Sequence, residues 1–114
     1  MGGVDGDEGD VMIFLKPWRA LQDEAEGDGV VRELRLEVSD RHALARLPLR
    51  AIARREDDDD VLVETLDGSG RLAVVHLTWG KHPEPFCDFP LTTFYSSWKH
   101  FEQVVMRAHH DGIL

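Results

Sequence analysis

The chain has 114 residues, 42% hydrophobic, 31% charged and 8% aromatic, the balance of one ordinary globular domain rather than a disordered, fibrous or membrane-spanning chain. Its 22 acidic residues against 13 basic ones leave −9 at pH 7, a field that repels phosphate-rich partners and disfavours nucleic-acid binding. The longest apolar run, Val11 to Leu15, is far short of the roughly 20 residues that cross a bilayer, and the single Cys87 excludes an internal disulfide.

Residues 1–10 combine glycine with acid and offer almost nothing to bury, which predicts a disordered acidic tail ahead of a single domain over 11–114. The tail lacks the basic start and apolar stretch of a secretory signal, so a reducing, cytoplasmic setting is the expectation. After Pro17, Trp18, Leu21 and Ala25 fall at helical spacing and Gly27 and Gly29 follow, predicting a short helix from Pro17 to about Glu26. From Val30 to Val38 apolar and polar residues alternate, which reads as a half-exposed strand. Residues 41–46 carry no assignable pattern. Leu47 to Arg54 reads as a second strand, with Pro48 suited to an edge or to the strand's first position.

The strongest local signal is VLVETLDGSGRLAVVHLTW, two β-rich runs around Asp67-Gly68-Ser69-Gly70. Pairing Leu66 with Arg71 puts Val63 opposite Val74 and Val61 opposite His76. Both faces of this hairpin are apolar, so it should be central and covered twice, by helices or by another subunit. A loop with three prolines follows, then a helix capped by Ser96 or Ser97, with a stripe of Trp98, Phe101, Val105 and Ala108 widened by Val104. Gly112 supplies its stop.

The acids cluster in the tail, in Asp23 to Asp28 and in Glu56 to Asp60, whereas seven of the 13 cations lie between Arg32 and Arg55. The run Asp57 to Asp60 has the oxygen donors of a calcium site, yet four adjacent aspartates diverge and no turn glycine follows, so a solvated turn is preferred. Zinc would need four N or S ligands at short spacings, which His76, His82, Cys87 and the helix histidines do not provide. His76 reads as a hydrogen-bonded histidine of a covered sheet. Cys87 beside a histidine lacks an oxyanion element, and Gly68-Ser69-Gly70 is neither a phosphate loop nor a nucleophile elbow, so no cofactor, metal or catalytic residue is assigned. Seven of the nine aromatic residues follow the hairpin, as core closure or as a recognition surface.

The segment LRAIARREDDDDVLVETLDGSGRLAVVHLTW with the later FYSSWKHFEQVVM resembles a group of small bacterial proteins of no established activity. These share an A-I-A-R-R lead-in, an L-D-G-S-G hairpin, an A-V-V-H-L-T-W strand and an F-Y-x-S-W opening to the last helix. The resemblance covers about the C-terminal half and implies a recurrent small domain, with nothing catalytic carried onto Arg54, Arg55, His76 or Trp79.

The expected fold is α+β: an antiparallel sheet of about four strands, the C-terminal helix on one face and a short N-terminal helix or a second copy on the other. The expected function is a non-enzymatic protein-interaction module, able to self-associate, whose acidic field and aromatic cluster select a basic or apolar partner, with His76, Trp79, Arg54, Arg55, Tyr95 and Trp98 as the candidate binding residues. Two alternatives differ in class. One is a small enzyme or ligand-binding protein with a single pocket around His76, Arg54, Arg55 and Trp79, and the other is an acidic neutraliser of a basic toxin.

Overall fold

A computed structural model describes residues 13–83 and 89–112. The expected tail, Cys87 and Phe86 lie outside the described residues. The elements run β1 (Trp18–Ala20), α1 (Glu24–Glu37), β2 (Leu49–Arg55), β3 (Asp60–Thr65), β4 (Leu72–His76), β5 (Thr92–Tyr95) and a last helix α2 over 98–110. Among the described residues the five strands form one antiparallel sheet in sequential order, so the α+β architecture holds with one strand more than expected. No helix among them is long and apolar enough to cross a membrane.

The N-terminal elements differ from the sequence expectation. Trp18 begins a strand instead of a helix because its indole is buried against Phe101, with ring centroids 5.1 Å apart, and donates to His109 Nδ1 at 2.9 Å. These partners lie 91 residues downstream, where no local period can register them. The helix starts at Glu24 instead, after Asp23, whose side chain accepts from the Glu26 N–H at 2.9 Å while Glu26 accepts from the Gln22 N–H at 2.7 Å. The first bond satisfies an amide donor that a helix start leaves over, and the second ties the residue before the cap to the first turn.

Residues 30–37, read as a strand, therefore continue α1. Their buried positions are Val30, Glu33, Leu34 and Glu37, spaced i, i+3, i+4 and i+7 as a helix face requires. Two of the four are glutamates, residues whose polarity belongs on a solvent face, so the helical stripe has the polarity pattern of an alternating strand.

The central hairpin is covered on both faces, as its composition demanded, and the covers are α1 and α2. Val30 and Leu34 of α1 pack with Val61, Val63, Ala73, Val75 and Leu77. Phe101, Val105 and Met106 of α2 pack with Leu62, Leu72, Ala53 and Trp18 on the other side. Each fully buried side chain of this size contributes about 1.5–3 kcal/mol.

The register is one residue away from the expected one: Val61 pairs with Val75, Leu62 with Val74 and Val63 with Ala73. The Thr65 N–H donates to the Arg71 carbonyl at 3.1 Å, so five residues make the connection. Asp67 builds it by accepting from the Ser69 N–H at 3.1 Å and hydroxyl at 2.6 Å, and the Ser69 bonds lower its carboxyl to about 2. Gly68 and Gly70 stand at φ +87° and +75°, where only glycine avoids a steric cost. A slip of one residue exchanges the faces of β4 relative to β3.

Ser97 caps α2 by accepting from the His100 N–H at 3.2 Å, and Gly112, at φ +76°, ends it. Between them Glu102–Met106 is wound as a π-helix. The wider turn brings Met106 into the core and leaves Val104 51% exposed, so Val104 does not widen the buried stripe as expected. Pro48 immediately precedes β2, and its carbonyl accepts from the Leu66 N–H at 2.7 Å.

Candidate functional site

The six residues singled out in the sequence fall into three separate groups. Arg54 and Arg55 are neighbours on β2, and successive strand residues point to opposite faces. Arg54 lies over the Trp79 ring, 4.9 Å from its centroid, and 3.5 Å from Glu26 of α1. Arg19 grips the same carboxylate through two bonds of 3.0 and 2.6 Å, and that bonding is the main cause lowering Glu26 to about 2.

Arg55 turns instead to the acidic turn, bonding Asp57 at 2.8 and 2.9 Å and lying 3.7 Å from Asp58 and 3.4 Å from Asp60. Asp60 and His76 face each other across β3 and β4, and His76 Nδ1 is 2.8 Å from Asp60 Oδ1 and 3.8 Å from Asp58 Oδ1. The bond to Asp60 raises the His76 pKa above its ordinary value. The imidazole is half-exposed, not sealed in the sheet, and borders an open depression of about 330 Å3 shared with Val74, Leu91 and Thr93. The ligand atoms of Asp58, Asp60 and His76 lie within 4.8 Å of one another. Two carboxylates and an imidazole are a donor set for a divalent cation, but Arg55 already sits against both carboxylates and competes for their oxygens.

Tyr95 at the end of β5 and Trp98 at the start of α2 join an aromatic cluster, with ring centroids 6.0 and 5.7 Å from Phe101. Burial pushes the Tyr95 hydroxyl pKa up. The proposed single pocket of His76, Arg54, Arg55 and Trp79 is therefore not formed: Arg55 and His76 meet through Asp60, whereas Arg54 and Trp79 meet beside α1.

Two arrangements escaped the sequence reading. The first is a buried carboxyl pair, Glu33 (4% exposed) and Glu37 (0%), one helical turn apart on α1. Glu37 accepts from the backbone N–H of Thr78 at 2.8 Å and of Trp79 at 2.7 Å, and Glu33 accepts from that of Lys81 at 2.9 Å. Together they hold a loop in which Trp79 and Lys81 adopt left-handed φ values of +60° and +64°. Burial, reinforced by the bond between the two carboxyls, raises Glu37, while the same bond holds Glu33 below the usual range. The signal was present as two glutamates at i, i+4 within an apolar helical stripe.

The second is an open groove of about 540 Å3 between α1 and the first half of β2. Its walls include Leu21, Gly27, Val31, Ala51 and Ile52, and the acids Glu24 and Asp28 stand at the rim with Arg32 and Arg50. A Cβ on Gly27 would come within 3.3 Å of Leu21 Cδ1, so glycine allows the chain after β1 to pass close under the helix. Asp23 lines the groove too and Arg50 is already paired with Glu64 at 2.6 Å, so three lining acids stand against Arg32 and the rim is acidic on balance. The groove exists because β1 is short: it pairs with residues 53–55 of β2 and departs after Leu21, whose N–H donates to the Ile52 carbonyl at 3.3 Å. No protein family, curated protein or solved structure matches the chain, so the geometry of these sites stands by itself.

Proposed function

We propose that the chain is a non-enzymatic protein-interaction module, acting in a reducing, cytoplasmic setting, whose docking surface is the groove between α1 and β2. The observation that carries this reading is an apolar-walled groove of about 540 Å3 with an acidic rim, beside a part of the sheet edge that β1 leaves uncovered. Apolar walls supply the burial that drives association, and the rim selects a cationic partner. The surface differs from the residues chosen in the sequence, since Tyr95 and Trp98 pack against Phe101 and Arg54, Arg55 and His76 are engaged in ion pairs.

Self-association loses its main argument, because each face of the hairpin is covered by a helix of the same chain. The small-enzyme alternative required four side chains around one cavity, and those side chains diverge. The neutraliser of a basic toxin remains a special case of the same module, favoured by the acidic rim.

Affinity capture from the native host, with the native chain and with a Val31→Arg variant that fills the groove and adds a cation, tests the reading. The expected result is a cationic protein retained by the first and lost by the second. Recovery of no such protein, or equal recovery by both, overturns it.

A further inference from the structure

Hydrogen-bond geometry along β2 specifies how the groove would be filled. In an antiparallel ladder the residues of one strand turn their backbone groups alternately toward one neighbour and the other. The Leu66 N–H donates to the Pro48 carbonyl, which places Pro48 on a rung toward β3. By alternation Arg50, opposite Glu64, also bonds toward β3, and the backbone groups of Leu49 and Ala51 turn the other way. A bulge follows, where the pairing shifts between Ala51 and Ala53. On the outward side the rungs belong to β1 from Ile52 onward, and among the described residues no strand covers residues 49–51. The same residues line the groove.

We infer that an extended segment of a partner protein, carrying lysine or arginine together with apolar side chains, adds as a strand beside Leu49–Ala51, in line with β1. The proposal rests on the interaction reading above and deepens it by naming the binding mode and the ligand chemistry. Unpaired strand edges are templates for exactly such addition in sheet proteins, with main-chain bonds supplying affinity and flanking side chains supplying choice. The uncovered stretch is three residues, about 10 Å of strand, so the guest is short and its side chains matter. Its apolar groups meet Leu21 and Val31, and its cations reach Glu24 and Asp28, both exposed on α1. The chain's overall −9 adds long-range attraction for the same guest.

The test uses the full chain labelled with 15N and two capped hexapeptides, one alternating lysine with valine and the other glutamate with valine. The lysine peptide should shift the amide signals of Leu49 and Ala51 and slow their hydrogen exchange at least tenfold, while the glutamate peptide should do neither. The double variant Glu24→Lys with Asp28→Lys changes exposed positions that no core packing depends on. It should weaken the lysine peptide at least tenfold and strengthen the glutamate one.

If the lysine peptide binds and obeys the charge reversal but leaves Leu49 and Ala51 unprotected, strand addition is overturned and the interaction module survives. If neither peptide binds, both fall. A chain that light scattering shows to be a dimer disrupted by the double variant would seat a second copy in the groove and overturn the peptide ligand.

Discussion

The pair Glu33 and Glu37 allows a test in which two similar substitutions should behave differently. In Glu37→Gln one accepting oxygen is replaced by an NH2 group, yet both oxygens are in use, by the Thr78 and Trp79 N–H groups. One buried donor is left without an acceptor, at about 1–3 kcal/mol, and faces another donor. The left-handed residues Trp79 and Lys81 cost about 1–2 kcal/mol each and rely on these bonds. Glu37→Gln should therefore lose about 2–3 kcal/mol. Glu33→Gln keeps an oxygen for the Lys81 N–H and offers its NH2 to Glu37, so its loss at pH 7 should stay below about 1 kcal/mol.

The pH dependence separates the variants further. Glu37 is raised in the fold, so its contribution is complete below the unfolded value near 4.5 and decays as pH rises through the folded value. Glu33 is lowered, chiefly by Glu37 and further by the Lys81 amide, so its contribution is complete above that value and decays as pH falls. In Glu33→Gln the hydrogen bond that helps raise Glu37 is replaced by a donor to its carboxylate, and the decline above pH 4.5 should flatten. Urea unfolding at a series of pH values from 4 to 8 measures this. A Glu37→Gln chain as stable as the native one, or parallel profiles for the native chain and Glu33→Gln, would refute the coupling of the two carboxyls.

Three further outcomes follow from the packing and the histidines. Phe101→Ala should cost about 3–5 kcal/mol by thermal or urea unfolding, whereas Val104→Lys should stay within about 0.5 kcal/mol, the reverse of what a simple stripe would give for Val104. His76 is raised chiefly by Asp60, so its ion pair supports the fold below about pH 6.5 and fades as pH rises through the folded value, by under about 1 kcal/mol because the pair is half-exposed. An NMR titration should show its midpoint drop in Asp60→Asn. His109 has the opposite sign: burial, then Arg55, lowers it, so its acceptor bond to Trp18 is intact above the ordinary histidine value and is lost as pH falls through the folded one. His109→Ala should cost about 1 kcal/mol at pH 7.5 and make the chain's acid-side decline shallower, read from the same unfolding series.

The doubly apolar hairpin could be recognised from its residues because burial on both faces leaves no polar parity, whichever register the turn selects. The register itself could not, since it depends on Asp67 closing a five-residue turn through Ser69. The first helix was hidden by Glu33 and Glu37, whose burial is decided by loop amides more than 40 residues away. Of the candidate site, the partnership of Arg55 with the acidic turn was implicit in the charge map. The separation of Arg54 from Arg55 follows from strand parity alone. The groove had no local signature: it depends on where β1 stops, and β1 itself was misread.

The bonds from Trp18 to His109 and from Lys16 to His110 span 91 and 94 residues, so the two ends of the described chain fasten one another. Closing so long a loop is entropically costly, whereas β2 to β5 pair with sequence neighbours. The meander should therefore form early and exchange its amides slowly, with β1 docking late and opening first. Each opening of β1 would bare the remainder of the β2 edge. The last seam to close is thus the one that sets how long a guest strand the chain can take.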